Sequence, residues 1–288
     1  MACAVRPGGP DPEEVARAAA RRVRRPLVGE HGKLMLIAAD HPGRGALGVG
    51  GDAMAMADRG ELPRRLVTAL ARPGVDGVLA TPDIVEDLLL LGALDEKVVF
   101  GSMNRGGLHG AEFELDDRFT AYDTRSIVVG GLDGGKMLMR IDLADPATVT
   151  TLESRAHAVT ELAGQGRAAM IEPFISRRVD GRVRNDLSAE AVIKSVAIGS
   201  ALGASSAHTR LKLPVIDEME RVMAATTLPT LLLGGDPTSA PDRTFAAWEK
   251  ALAVPGVSGL VVGRALLYPR GGDVEAAVDQ AVRLVSGG

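Results

Sequence analysis

The feature that most constrains this chain is a rhythm: short apolar runs recur along it, each followed by a turn and an amphipathic stretch of helical length. The runs lie near 33–39, 77–80, 98–102, 136–141, 168–172, 209–213, 230–233 and 259–262. Helical stretches fall between them at 62–71, 82–91, 119–130, 146–163, 189–202, 215–225, 241–253 and 274–285. The runs are almost wholly apolar rather than alternating, which suits a parallel sheet covered by helices on its outer face. Eight strand–helix units over roughly 250 residues, with no Pro/Gly/Ser linker dividing them, predict an α/β fold of the (β/α)8 TIM-barrel type. The expected layout is an N-terminal tail and extra helix over 1–30 and a single barrel domain over 31–288.

Composition agrees and narrows the function. With 46% hydrophobic residues among 288, the chain buries a large core. A net charge of −4 and aromatics at 3% give neither an electrostatic nor a stacking reason to expect nucleic acid. The expected partner is a small molecule, with a homo-oligomer left open. Cys3 is the only cysteine, so no disulfide framework and no CxxC metal site can be built, and a reducing cytoplasm is the expected compartment. No apolar stretch approaches the ~20 residues that a bilayer requires. The basic segment ARAAARRVRRP, residues 16–26, reads as a solvated helix that packs Val15, Ala19 and Val23 on the barrel and leaves its arginines outside.

Charges that interrupt apolar strands carry the chemistry, because an ionised group there must be paired or functional. Four do so: Asp40, Lys136, Glu172 and Lys212. Lysine is scarce in a chain otherwise rich in arginine, and only lysine offers an amine nucleophile. Lys212, in HTRLKLPVID, is either one half of an interior salt bridge or a Schiff-base lysine whose amine is tuned by an apolar site and a neighbouring cation. Lys136, in LDGGKMLMRID, lies two strands away and supplies that cation, since alternate strands share interior layers. Glu172, in AAMIEPF, ends the strand between them, as a counter-ion, a proton shuttle or both. Asp40 ends the first strand, where a loop hydrogen bond is the plain alternative. The five histidines are dispersed, without the spacing of a zinc site. Neither metal nor cofactor is expected.

Small residues after the seventh and eighth strands, in LLLGGDP and LVVGRALLYP, leave backbone N–H groups open to a phosphate. Gly234, Gly235, Gly263 and Arg264 are the candidates, with Arg44 from the loop after the first strand. Two further loops after strands are long, 103–117 and 175–185. In the second, Asp180-Gly181 marks a hairpin turn whose Arg177, Arg178, Arg182 and Arg184 face solvent, a substrate or a neighbouring subunit.

With DHPGRG, GGKMLMRID, MIEPF, TRLKLPV, GGD and VVGRALL in place, the chain from about Lys33 onward resembles the class I aldolases of the archaeal-type fructose-bisphosphate and tagatose-bisphosphate aldolase superfamily. It looks closest to actinobacterial aldolase-like barrels associated with inositol catabolism. The resemblance implies a metal-independent lyase acting on a phosphorylated ketose or keto-acid. Lys212 would form the Schiff base, Asp40 and Lys136 would complete the pocket, and Glu172 would stand where tagatose-type enzymes carry their acid/base. The rival readings are a deoxyribose-phosphate- or transaldolase-type lyase using the same lysine, and a non-catalytic sugar-phosphate-binding barrel. The spelling G-x-G-x-x-G at Gly43, Gly45 and Gly48 raises a dinucleotide turn as well. Asp40-His41-Pro42 separates it from its strand and no acid ends the next strand, so the spelling is expected to be accidental and the glycines to serve a loop over the pocket.

Overall fold

The computed structural model describes residues 11–29, 31–104, 108–235 and 241–287. Cys3 and the rest of the first ten residues lie outside these. The strands are β1 (Leu34–Ala39), β2 (Gly77–Ala80), β3 (Val98–Ser102), β4 (Gly134–Ile141), β5 (Ala168–Val179), β6 (Arg182–Asn185), β7 (Thr209–Leu213), β8 (Thr230–Leu233) and β9 (Val257–Val262). The helices are α1 (Pro12–Arg21), α2 (Glu61–Leu70), α3 (Pro82–Leu90), α4 (Thr124–Val129), α5 (Ala147–Gly164), α6 (Ala189–Ser200), α7 (Met219–Met223), α8 (Pro241–Leu252), α9 (Arg264–Leu267) and α10 (Val274–Ser286).

Eight strands pair in parallel around a closed ring, β1-β2-β3-β4-β5-β7-β8-β9, with β9 returning to β1 through Leu34↔Gly259 to Ile37↔Val262. This is the (β/α)8 barrel that the strand rhythm predicts. β6 stands outside the ring, antiparallel to the upper half of β5. Asp180 and Gly181 make the connecting turn at φ 51° and 74°, the double left-handed geometry that a two-residue hairpin needs. β5 therefore runs well past Glu172, the end expected from its apolar run. α4 and α7 are shorter than expected; Asp123 caps α4 with Ser126, and the residues before it bond instead to the end of β3.

Two apolar layers follow from strand alternation. Leu34, Leu36, Phe100, Met170, Leu231 and Val261 fill the inside of the ring, while Met35, Ile37, Val99, Ile171 and Val262 face the helices in a larger outer core. Burying both faces makes the strands continuously apolar.

The basic N-terminal segment follows the expected arrangement only in part. In α1 Arg17 and Arg21 are exposed and Val15 and Ala19 are half-buried, but no residue of the helix is fully buried and Val23 is 53% exposed. Beyond the helix three arginines bond to the barrel instead: Arg22 donates to the carbonyls of Lys97 (2.7 Å) and Gly131 (2.5 Å), Arg24 pairs with Asp133 (2.9 Å) and Arg25 with Asp76 (2.7 Å). The cause lies at the strand starts. Asp76 and Asp133 each accept a backbone N–H there, from Met35 and Val99, and their remaining charge calls for a cation. Leu27 and Val28 then pack against the inner core, closing the end of the barrel remote from the chemistry.

This clamp gives a stability prediction. Arg22→Ala strips two half-buried carbonyls of their donor, and urea unfolding should show a loss of about 2–3 kcal/mol.

Candidate active site

Alternation along β4 places Lys136, Leu138 and Arg140 on one face, the inner one. Glu172 on β5, Lys212 on β7 and Asp40 just beyond β1 point into the same space. The Lys136 ammonium bridges two carboxylates, Asp40 at 2.8 Å and Glu172 at 2.5 Å. Among the described residues Lys212 pairs only with Glu172, at 3.1 Å. All four side chains are buried, the lysines at 3% exposure. The structure thus brings together the four charged strand residues singled out in the sequence.

Two positive and two negative groups cancel, but they do not hold their protons alike. Burial pushes Lys136 down, yet Asp40 and Glu172 outweigh it and raise its proton affinity above the ordinary lysine range. Burial pushes Lys212 down too; the neighbouring Lys136 ammonium adds to the effect, and Glu172 offsets it only in part, so its affinity falls below the ordinary range. The carboxyls are disfavoured by burial but held ionised by the lysines, Lys136 foremost: Glu172 falls to about 2 and Asp40 well below the usual carboxylate range. Lys136 is the fixed cation and Lys212 the labile one.

Above this cluster opens a cavity of about 520 Å³. Gly234, Gly235, Gly263, Arg264 and Arg44 all line it, on the side of β8, β9 and β1. Part of the reason for the glycines is packing. A Cβ on Gly263 would stand 2.1 Å from the Ala38 carbonyl oxygen, and one on Gly234 would stand 2.6 Å from Val262 Cγ1. Gly235 has φ +69° with open space around its Cβ position, so there the left-handed backbone makes the demand. Arg264 reaches the carbonyls of Gly48 and Gly235 at 3.5 and 3.4 Å, which holds its guanidinium at the rim.

The cavity includes residues that the sequence reading did not single out. His41 follows Asp40 and is largely buried; desolvation lowers it to about 3, so its ring is neutral. Arg243 arrives on α8. Arg140 sits in the wall opposite Arg264, its guanidinium paired through Nη1 with Glu114 from the loop after β3, while Nε and Nη2 are buried without a partner. Its signal was present in GGKMLMRID, two alternations beyond Lys136 on the same strand face. Glu114 had no such signal, since it comes from irregular chain. Below them, Asn104 bonds both the N–H and the carbonyl of Leu138 (2.8 and 2.6 Å), and Arg155 adds a bond to that carbonyl at 3.2 Å, fixing β4 beneath Arg140.

None of the four hairpin arginines lines the cavity. Arg177 lies 3.9 Å from Asp186, and Arg178 bonds the Glu112 carbonyl at the surface. After β1 the chain makes a single tight turn over Pro42–Arg44, closed by Gly45 at φ 78°. No α-helix begins there, the next one starting only at Glu61, so the geometry of a dinucleotide turn is missing. Among the described residues no cluster of His, Cys, Asp and Glu is arranged to hold a metal, and no helix is long and apolar enough to cross a membrane.

A family model described as Cgl0159-like matches residues 32–282. The crystal structure of Cgl0159 from Corynebacterium glutamicum is 58% identical, superposes with a TM-score of 0.93, and is matched over 96% of this chain and 93% of that one. An archaeal fructose 1,6-bisphosphate aldolase is 18% identical with a TM-score of 0.68, over 95% of this chain and 100% of the other. A fructose-bisphosphate aldolase from Slackia heliotrinireducens gives 13% and 0.57, over 96% and 89%. No curated protein matches the sequence. The chain belongs to the Cgl0159-like family, and it shares its barrel fold with the archaeal fructose 1,6-bisphosphate aldolase.

The charge cluster gives the protein a defined acid response. Between about pH 2 and the usual 4.5 of a glutamate, unfolded Glu172 binds a proton that the folded carboxylate does not. Stability therefore rises with pH across that window; Glu172's contribution is complete above it and lost as pH falls through it. Lys136→Met should flatten this slope and cost about 3–5 kcal/mol near neutrality, measured by urea unfolding at a series of pH values.

Proposed function

We propose that this Cgl0159-like protein is a class I aldolase that cleaves or forms a carbon–carbon bond in a phosphorylated ketose or keto-acid through a Schiff base on Lys212. The observation that carries the reading is the asymmetry of the two lysines. Lys136, between two carboxylates, stays charged, while Lys212, with one carboxylate and a neighbouring ammonium, is the amine from which a proton is most easily removed.

In the cleavage direction the free Lys212 amine adds to the substrate ketone, giving a carbinolamine. Glu172, ionised at rest and 3.1 Å from Nζ, takes the proton that the nitrogen loses on addition and passes it to the hydroxyl, which departs as water as the iminium forms. The iminium then accepts the electron pair of the breaking carbon–carbon bond, and Asp40 takes the proton from the hydroxyl that becomes a carbonyl. Lys136 keeps both carboxylates ionised and positioned. Gly234, Gly235, Gly263, Arg264 and Arg44 hold the phosphate on their side of the cavity, joined by Arg243. The likeness to archaeal fructose-bisphosphate aldolases supports the fold for this chemistry, and the buried charge cluster supports the chemistry itself. The setting we propose is cytoplasmic sugar catabolism, including the breakdown of inositol-derived keto-acids.

Borohydride added during incubation with dihydroxyacetone phosphate should leave a reduced adduct that peptide mass mapping places on Lys212. If no carbonyl compound yields an adduct and Lys212→Ala binds sugar phosphates as well as the wild type, Lys212 is only the ion-pair partner of Glu172 and the barrel is a binding protein. Glu172→Gln should lower kcat by about 10² to 10⁴ in any aldol assay that the wild type supports.

A further inference from the structure

We infer that Arg140 is a specificity-determining residue that receives a second anionic group, a carboxylate or phosphate carried by the substrate at the end remote from its first phosphate. The inference rests on the aldolase reading and deepens it by naming the substrate class. Three observations carry it.

Arg140 is 7% exposed and lines the same cavity as Lys212. Its salt bridge to Glu114 uses Nη1 alone, and Nε and Nη2 are both buried with no hydrogen-bond partner. Nε–H and Nη2–H form the parallel edge of a guanidinium, the edge that takes two oxygens of one carboxylate or phosphoryl group at once. Two buried donors left unpaired are costly, and an anionic group arriving from the cavity that Arg140 lines would satisfy both.

The ring order fixes the direction. From β4, which carries Arg140, to β9, which precedes Gly263 and Arg264, is four strands either way around the eight, so the two cationic walls are diametrically opposed. Lys212 on β7 and Glu172 on β5 lie along one arc between them. A ligand with its phosphate against Gly263–Arg264 and its reacting carbon at Lys212 extends its other end toward β4. Glu114 balances the charge of Arg140 and orients the fork, so the incoming group is held by the two unpaired N–H donors rather than by a net positive charge.

Condensation assays with dihydroxyacetone phosphate as donor test this, using three aldehyde acceptors: glyceraldehyde 3-phosphate, glyoxylate and uncharged glyceraldehyde. The wild type should favour at least one anionic acceptor over glyceraldehyde in kcat/KM. Arg140→Leu should cut that preference on the order of tenfold to a hundredfold, with Arg140→Lys falling between. Which anionic acceptor loses most distinguishes a phosphate end group from a carboxylate. Equal losses for charged and uncharged acceptors, or a preference that survives in Arg140→Leu, would overturn the inference and leave Arg140 as the structural partner of Glu114. Failure of the wild type to give the borohydride adduct on Lys212 would instead remove the aldolase reading, and this inference with it.

Discussion

The arrangement depends on one ammonium held between two carboxylates. Lys136 makes it possible for Asp40 and Glu172 to stay ionised at the largely desolvated floor of the cavity, because each negative charge finds a donor at hydrogen-bond distance. Lys212 then meets a carboxylate already engaged elsewhere. Its weaker hold on its proton comes first from burial and is then deepened by a residue that it does not touch. Removing the central ammonium would leave two buried carboxyls competing for one lysine, and Lys212 would lose the neighbouring positive charge that loosens its proton.

The barrel supplies the rest by geometry. Alternation sends every second side chain of a strand inward, so apolar residues fill most of the lower ring while Asp40, Lys136, Arg140, Glu172 and Lys212 gather toward the mouth. The opposite end is sealed by arginines of the N-terminal segment, which bond carbonyls and carboxylates at the strand starts. Stability and chemistry are thereby kept at opposite ends of the same strands, a division common to this architecture.

How legible this was from the sequence depended on whether a residue's environment was local. The eight strands could be read because burial on both faces leaves uninterrupted apolar runs, and four of them, β2, β3, β7 and β8, begin and end where those runs do. Lys136, Glu172 and Lys212 could be read because a charge inside such a run is costly without a partner. Gly263 could be located but not fully explained: the Ala38 carbonyl that forbids it a side chain belongs to a strand more than two hundred residues away. The N-terminal arginines were misplaced for the same reason, since nothing local says that Asp76 and Asp133 will gather beneath them. Arg140 was on the right face of the right strand, but its meaning rests on Glu114, which reaches it from a loop without periodicity.

The seam of the ring runs beside the chemistry. Asp40 follows the first strand and Gly263 the last, and β1 and β9 meet only when the chain's two ends are brought together. A polypeptide emerging from synthesis contains Lys136, Glu172 and Lys212 well before β9 exists to close the wall. The lowered proton affinity of Lys212 comes first from burial, and burial is complete only in the closed ring. Incomplete chains would therefore carry an ordinary, protonated lysine, and the amine would acquire its unusual character in the same step that finishes the fold.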